Sequence, residues 1–228
     1  MMILRKTIFA LVVLIASPSK EIVLHHAGDS VSLGSLNFTI TTQLKPNELP
    51  VVSLIVPNGE TALSFAIGKS EPELFKVPDE EGAPGPIVQV FMIKGAVRIP
   101  DVLVPITMVG GGSDCGYDAT VVGMTQGHLK EWLPAHAFVN SQGGFYVGDL
   151  GAGRGYGLAA WNFIWEDGAH YGPHRYEVNL YRFQPETGRA LRIAHLESRR
   201  KHDTDEEALH ELGFTYKNLL RSDSSFGC

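Results

Sequence analysis

The chain has 228 residues, 44% hydrophobic and 19% charged, with a formal net charge of −6. These proportions belong to a folded globular chain and exclude a disordered one. The acidic balance leaves no electrostatic footprint for nucleic acid or an anionic lipid surface, so neither is expected as a partner.

The first residues read MMILRKTIFALVVLIASPSKE. Arg5 and Lys6 make a charged start, and Thr7 to Ala16 make a short apolar core. Such a core is well below the ~20 residues that span a bilayer. Small residues follow, and Ser17-Pro18-Ser19 offers an imperfect cleavage site. The pattern is that of a secretory signal peptide over 1–19, with a buried first strand or an uncleaved anchor as the bland alternative. It predicts a periplasmic or secreted protein with no membrane span once the signal is removed. Residues 20–228 are expected to form a single mainly β domain, long enough to bury a core without staples.

In chain order, LNFTITTQL places Leu36, Phe38 and Ile40 on one face of a strand. PVVSLIV, TALSFAI and PIVQVFMI are further β-rich runs bounded by Pro, Gly and Asn. Residues 20–76 are therefore N-terminal strands. The acidic, proline-rich VPDEEGAPGP, residues 77–86, is a loop separating them from the rest.

Over 96–200 the chain reads as two related units. RIPDVLVPITMVGGGSDCG begins at Arg98, and RGYGLAAWNFIWEDGAHYG begins 56 residues later at Arg154. Gly112 then meets Gly168, and Gly116 meets Gly172. After a small insertion, Ala135-His136 lines up with Ala194-His195. Each unit reads strand, glycine-bearing turn, strand, turn, strand. A helix is expected over 203–213, because Thr204 and Glu207 form a capping box and Gly213 is a natural stop.

The stretch VGDLGAGRGYGLAAWNFIW, 147–165, is the richest in glycine. It lacks the Lys and Ser/Thr of a phosphate-binding loop, and the alternation of Trp161, Phe163 and Trp165 after it predicts a strand with these rings on one core-facing side. Here the chain resembles bacterial exported proteins with FG-GAP or VCBS-type repeats, related to the integrin-α propeller blade. In those repeats a D-x-D-G-D-G loop precedes the strand and often holds calcium. GDLGAGRGYGLAAW is similar to that loop and strand. GGGSDC is similar to a G-G-x-x-C turn of such proteins, and EDGAHY takes its place in the second unit. The resemblance is degenerate. Asp149 remains, but Gly151, Gly153 and Gly155 stand where calcium would need oxygen ligands. These four residues are therefore read as a structural turn.

HYGPH gives His170 and His174 an H-x3-H spacing, but Gly172 and Pro173 argue against the helix that would present both to zinc. As a loop they could share a metal with Glu166 or Asp167, which would support a metal-dependent hydrolase. Surface-loop packing beside Tyr171 and Tyr176 is the plainer reading. Cys115 and Cys228 are a candidate disulfide in an oxidising compartment, or two separate thiols. A nucleophilic Cys115 would need a base and an orienting group. Asp114 and Asp118 lie near it in sequence, but no His pairing can be read from spacing.

The expected fold is thus all-β and mainly antiparallel, an incomplete propeller-like or sandwich arrangement with one short C-terminal helix. The expected function is non-catalytic recognition of an envelope or extracellular protein or glycan. No cofactor is expected, with calcium at the glycine loop and zinc at the histidine loop as the alternatives.

Overall fold

The computed structural model describes residues 22–80, 85–95, 99–110, 115–165 and 172–219. Residues 1–19, expected to be a signal peptide, lie outside them. The described chain is all-β and antiparallel in its sheets, with two short helices. Strand β1 is Ile22–His25, followed by β2 (Ser30–Leu33), β3 (Leu36–Gln43), β4 (Val51–Ile55) and β5 (Thr61–Ala66). A single helical turn, α1 (Pro72–Phe75), starts at a proline, whose fixed φ suits a first helical position. Then come β6 (Ile87–Ile93), β7 (Val102–Val109), β8 (Gly116–Ala119), β9 (Val122–Thr125), β10 (His128–Glu131) and β11 (Ala137–Asn140). The last sheet holds β12 (Gly144–Asp149), β13 (Tyr156–Phe163), β14 (Tyr176–Gln184) and β15 (Arg189–Glu197), and α2 (Asp205–Glu211) follows.

The strands form three sheets. The first is the meander β2-β3-β4-β5, and the third is the meander β12-β13-β14-β15. The central sheet runs β1-β6-β7-β8-β11, with β9 pairing both β7 and β10. Its β6–β11 part has the same meander plan with two interruptions. Strand β8 covers the end of β7, β9 covers its start, and the chain breaks between them at residues 120–121. Likewise β10 pairs β9 and β11 pairs β8, with residues 132–136 inserted between. The segments that align at a spacing of 56 thus lie in different sheets, one unbroken and one broken twice.

Alternation of side chains stacks these sheets into layers. On β6, Val90 and Met92 face a core with Phe38, Ile40, Val52 and Leu54 of the first sheet. Phe91 and Ile93, alternating with them, face a second core with Phe145, Val147, Leu158 and Ala160 of the third sheet. On β13 the odd partners, Ala159, Trp161 and Phe163, turn outward onto Ala208 and Leu209 of α2 and onto Phe214. Trp161 and Phe163 are buried as expected, but Trp165 is 54% exposed. It lies two residues past the last paired residue of β13, where no sheet covers the chain.

The glycine-rich stretch is the β12–β13 hairpin. Gly151, Gly153 and Gly155 have φ of 72°, 73° and 86°, and Ala152 joins them at 50°. Leu150 N–H donates to the Gly155 carbonyl at 2.9 Å, closing the loop. Glycine is needed here for conformation, whereas Gly157 is needed for space. A Cβ there would run into the Tyr181 carbonyl across the β13–β14 pair. Gly157→Ala should therefore cost about 2–3 kcal/mol through overpacking. Gly153→Ala, which meets open space, should cost only about 1–2 kcal/mol for its left-handed backbone. Urea unfolding of the two variants measures the difference, and equal losses would contradict this account.

Candidate functional site

The densest cluster of titratable groups sits where the first and central sheets join. Asp118, on β8, is fully buried. Its carboxylate accepts the Gly68 N–H at 2.6 Å and the Ser70 N–H at 3.3 Å, and the Ser70 hydroxyl also donates to it. Gly68 has a φ of 95°, so the chain leaving β5 curls around the carboxylate. From the other side comes His136, in the 132–136 insertion, with a φ of 57°. Its Nδ1 meets Asp118 Oδ2 at 2.5 Å, and its Nε2 meets Glu131 Oε1 at 2.7 Å. Lys69 Nζ closes the chain on Glu131 at 3.0 Å.

Both ring nitrogens of His136 face carboxylates, an arrangement that favours the imidazolium, since only that form donates from both. Burial pushes the His136 pKa down, but its hydrogen bonds and charge contacts with Asp118 and Glu131 push harder, leaving it above its ordinary 6.5. Glu131 is pushed up by burial and pulled down further by His136 and Lys69, ending below 4.5. With neither nitrogen open, the ring cannot accept a substrate proton, and Ser70 is bonded to Asp118 rather than to the imidazole. The cluster is an ionic clamp between sheets. Of its members the sequence singled out Asp118, as a neighbour of Cys115, and His136, as a position aligned with His195, without joining the two. The spacing of residues 69, 70, 118, 131 and 136 matches no motif, and only the fold brings them together.

The second site is a groove beside α2. Thr204 caps that helix by accepting the Glu207 N–H at 3.3 Å. Asp205, nearly buried, accepts Trp161 Nε1–H at 2.9 Å and ties the helix to the outer face of β13. Next to this bond lies a cavity of about 310 Å³ walled by Trp161, Asp205, Glu206, Tyr216 and Asn218. A neighbouring cavity of about 330 Å³ shares Asp205 and Glu206 and adds Ser141, Gln142, Tyr176 and Thr204. Tyr216 stacks on Tyr146 at 4.3 Å and on Phe214 at 4.9 Å. Its hydroxyl donates to the Leu150 carbonyl at 2.8 Å. Burial pushes this phenol up to about 12 against the pull of Arg154, so it remains a neutral donor. Aromatic edges, carboxylates and amides thus share one open groove.

His174 is fully buried, and neither ring nitrogen has a hydrogen-bond partner among the described residues. Its ring packs on Phe163 at 4.6 Å, and its backbone pairs with that of His202. His170, Glu166 and Asp167 lie outside the described residues. Among the described residues no group of three or more His, Cys, Asp or Glu is placed to hold a metal. Asp149 is exposed, and its Oδ1 accepts the Gly151 N–H at 2.9 Å as a turn-forming bond. Cys115 is buried and disulfide-bonded, and its candidate partner Cys228 lies outside the described residues. No helix among the described residues is long and apolar enough to cross a membrane. No family model, curated protein or solved structure matches the chain.

The clamp makes stability depend on pH with a definite sign. The raised His136 pKa contributes stability that is complete below 6.5 and lost as pH rises through the folded value. The lowered Glu131 pKa contributes stability that is present above 4.5 and lost as pH falls through its folded value. The clamp is therefore strongest between pH 4.5 and 6.5. His136→Gln should cost about 3–5 kcal/mol in that window, because it strands buried carboxylate. The gap between wild type and variant should narrow as pH climbs past 6.5, read from urea unfolding at each pH. A gap constant from pH 5 to pH 9 would refute the imidazolium assignment.

Proposed function

We propose that the chain is an exported, non-catalytic binding protein and that it recognises a glycan in the groove beside α2. The observation that carries this reading is the groove's wall. Sugars present apolar C–H faces and many hydroxyls, so a matching surface combines aromatic edges with acceptors and donors. Tyr216 supplies the first, while Glu206 and Asn218 supply the second, over a floor of buried Trp161 and Asp205. Binding rather than catalysis is favoured by how the groups are used. Asp205 is engaged by Trp161, and the His136 ring is closed by two carboxylates.

Export is supported by the disulfide of Cys115, since such bonds persist in oxidising compartments. The likeness to FG-GAP and VCBS-type blades stays part of this proposal. The meanders β2–β5 and β12–β15, with the interrupted meander β6–β11 stacked between them, support it.

Two measurements test the reading. Peptide mapping of exported protein without reduction should begin near Lys20 and recover Cys115 joined to Cys228. That loop of about 110 residues would contribute about 4–5 kcal/mol in the chain-entropy model. Two alkylatable thiols or a retained Met1 would count against export. On an oligosaccharide array, wild type should retain a defined set of glycans. Glu206→Gln combined with Lys217→Ala, two exposed changes at the groove, should weaken that binding by about tenfold, the loss of one or two hydrogen bonds to charged groups. An empty array with capture of a purified envelope protein would transfer the groove to a protein ligand.

A further inference from the structure

A third cavity, of about 550 Å³, lies on the other side of α2, and three arginines line it: Arg154, Arg199 and Arg200. They reach it from different parts of the chain. Arg154 comes from the β12–β13 hairpin, with its guanidinium 5.2 Å above the Phe214 ring. Arg199 and Arg200 are exposed on the turn that leaves β15. None of the three forms an ion pair among the described residues, although the chain as a whole is acidic.

Two carboxylates, Glu197 and Glu211, also line this cavity, and both are committed elsewhere. Glu211 accepts the Arg199 backbone N–H at 2.7 Å and meets His202 Nε2 at 2.6 Å. The Arg199 backbone bond, followed by the His202 bond, holds its carboxyl below the usual range. Glu197 faces Arg175 Nη1 at 3.5 Å and His195 Nε2 at 3.3 Å. Glu211 therefore acts on the backbone of the turn and fixes where Arg199 and Arg200 emerge. It does not neutralise their guanidiniums. Arg154 Nη1 spends one donor on the Leu150 carbonyl at 3.5 Å. Three forked donors with no carboxylate partner among the described residues, around one cavity, match the geometry and charge of an oxyanion.

We propose that the Arg154–Arg199–Arg200 cavity is an anion-binding site that takes a sulfate, phosphate or carboxylate group. It is separate from the glycan groove and does not depend on that reading. The same chemistry could arrive as a free inorganic anion or as the acidic substituent of a larger molecule, and the test distinguishes them. Isothermal titration of the full chain uses sodium sulfate, sodium phosphate and a trigalacturonate oligosaccharide, each at constant ionic strength. Arg199→Gln with Arg200→Gln should weaken every anion that binds by at least about tenfold, while its melting temperature stays at the wild-type value. Lys45→Gln with Arg189→Gln removes the same charge at exposed positions away from the cavity and should change affinity less than about twofold.

If the trigalacturonate binds more tightly than sulfate and sulfate displaces it, the anion is carried on a glycan. If sulfate or phosphate binds as tightly, the site takes free oxyanions. Absence of saturable binding by all three probes, or equal losses in the two double variants, overturns the proposal. Neutral glycan binding that survives Arg199→Gln with Arg200→Gln would leave the groove assignment standing, whatever the anion result.

Discussion

The fold depends on one constraint: the central pair β6–β7 is apolar on both faces. Every residue of β7 from Val102 to Met108 is buried, as is β6 from Gln89 to Ile93. A sheet with one wet face can stand alone against a single layer, but this one must be covered twice. The first meander supplies one cover and the third supplies the other. The third sheet then has an apolar outer face of its own, on β13 and β14, which α2 and Phe214 close. Each layer is thus required by the one before it, and the sequence of layers ends where the short helix presents polar residues to solvent.

Hydrophobic layers attract without direction, so they say little about how one sheet should sit over another. The clamp at Asp118 supplies direction. It joins the chain leaving β5 to β8, to β10 and to the insertion before β11 through hydrogen bonds that tolerate little displacement. Burying charge is expensive, and an apolar replacement of similar volume is often equally stable. Its value here lies in specificity: of the ways the first sheet could slide over the central one, only one brings Gly68 and Ser70 onto the carboxylate. The inserted residues 132–136 are the source of the counter-charge. They interrupt the central meander, and the interruption delivers His136 while burying Trp132 against Phe183 at 5.6 Å.

What was legible in the sequence follows the same physics. Where one face is wet, alternation betrays the strand, as in β3 with Phe38 and Ile40 buried and Asn37 exposed. Where both faces are buried, the run PIVQVFMI is continuous and still reads as a strand through its composition. The Thr204 cap and the glycine hairpin were readable because their chemistry is local. Trp165 broke the pattern, since alternation predicts a face but not where the covering layer ends. The clamp and the groove were not readable. Each is assembled from residues tens of positions apart, none with a spacing that repeats, and their meeting is a property of the stacked sheets. The offset at Ala135-His136 was the one local trace of the clamp, visible as an insertion with no hint of its charge.

The two candidate binding surfaces are linked through the same small helix. Arg154 lies over Phe214, Phe214 stacks on Tyr216, and Tyr216 walls the groove with Trp161. That row of rings runs from the arginine cavity, past the end of α2, to the groove. On the helix, Asp205 anchors the first turn to Trp161 and Glu211 anchors the last turn to the 199–202 backbone. A seven-residue helix is too short to persist by its own hydrogen bonds. Its position is held by these two carboxylates and by Ala208 and Leu209 beneath it. Glu211 shapes one cavity and Asp205 the other, so loosening either anchor would disturb both surfaces together, by way of the helix between them.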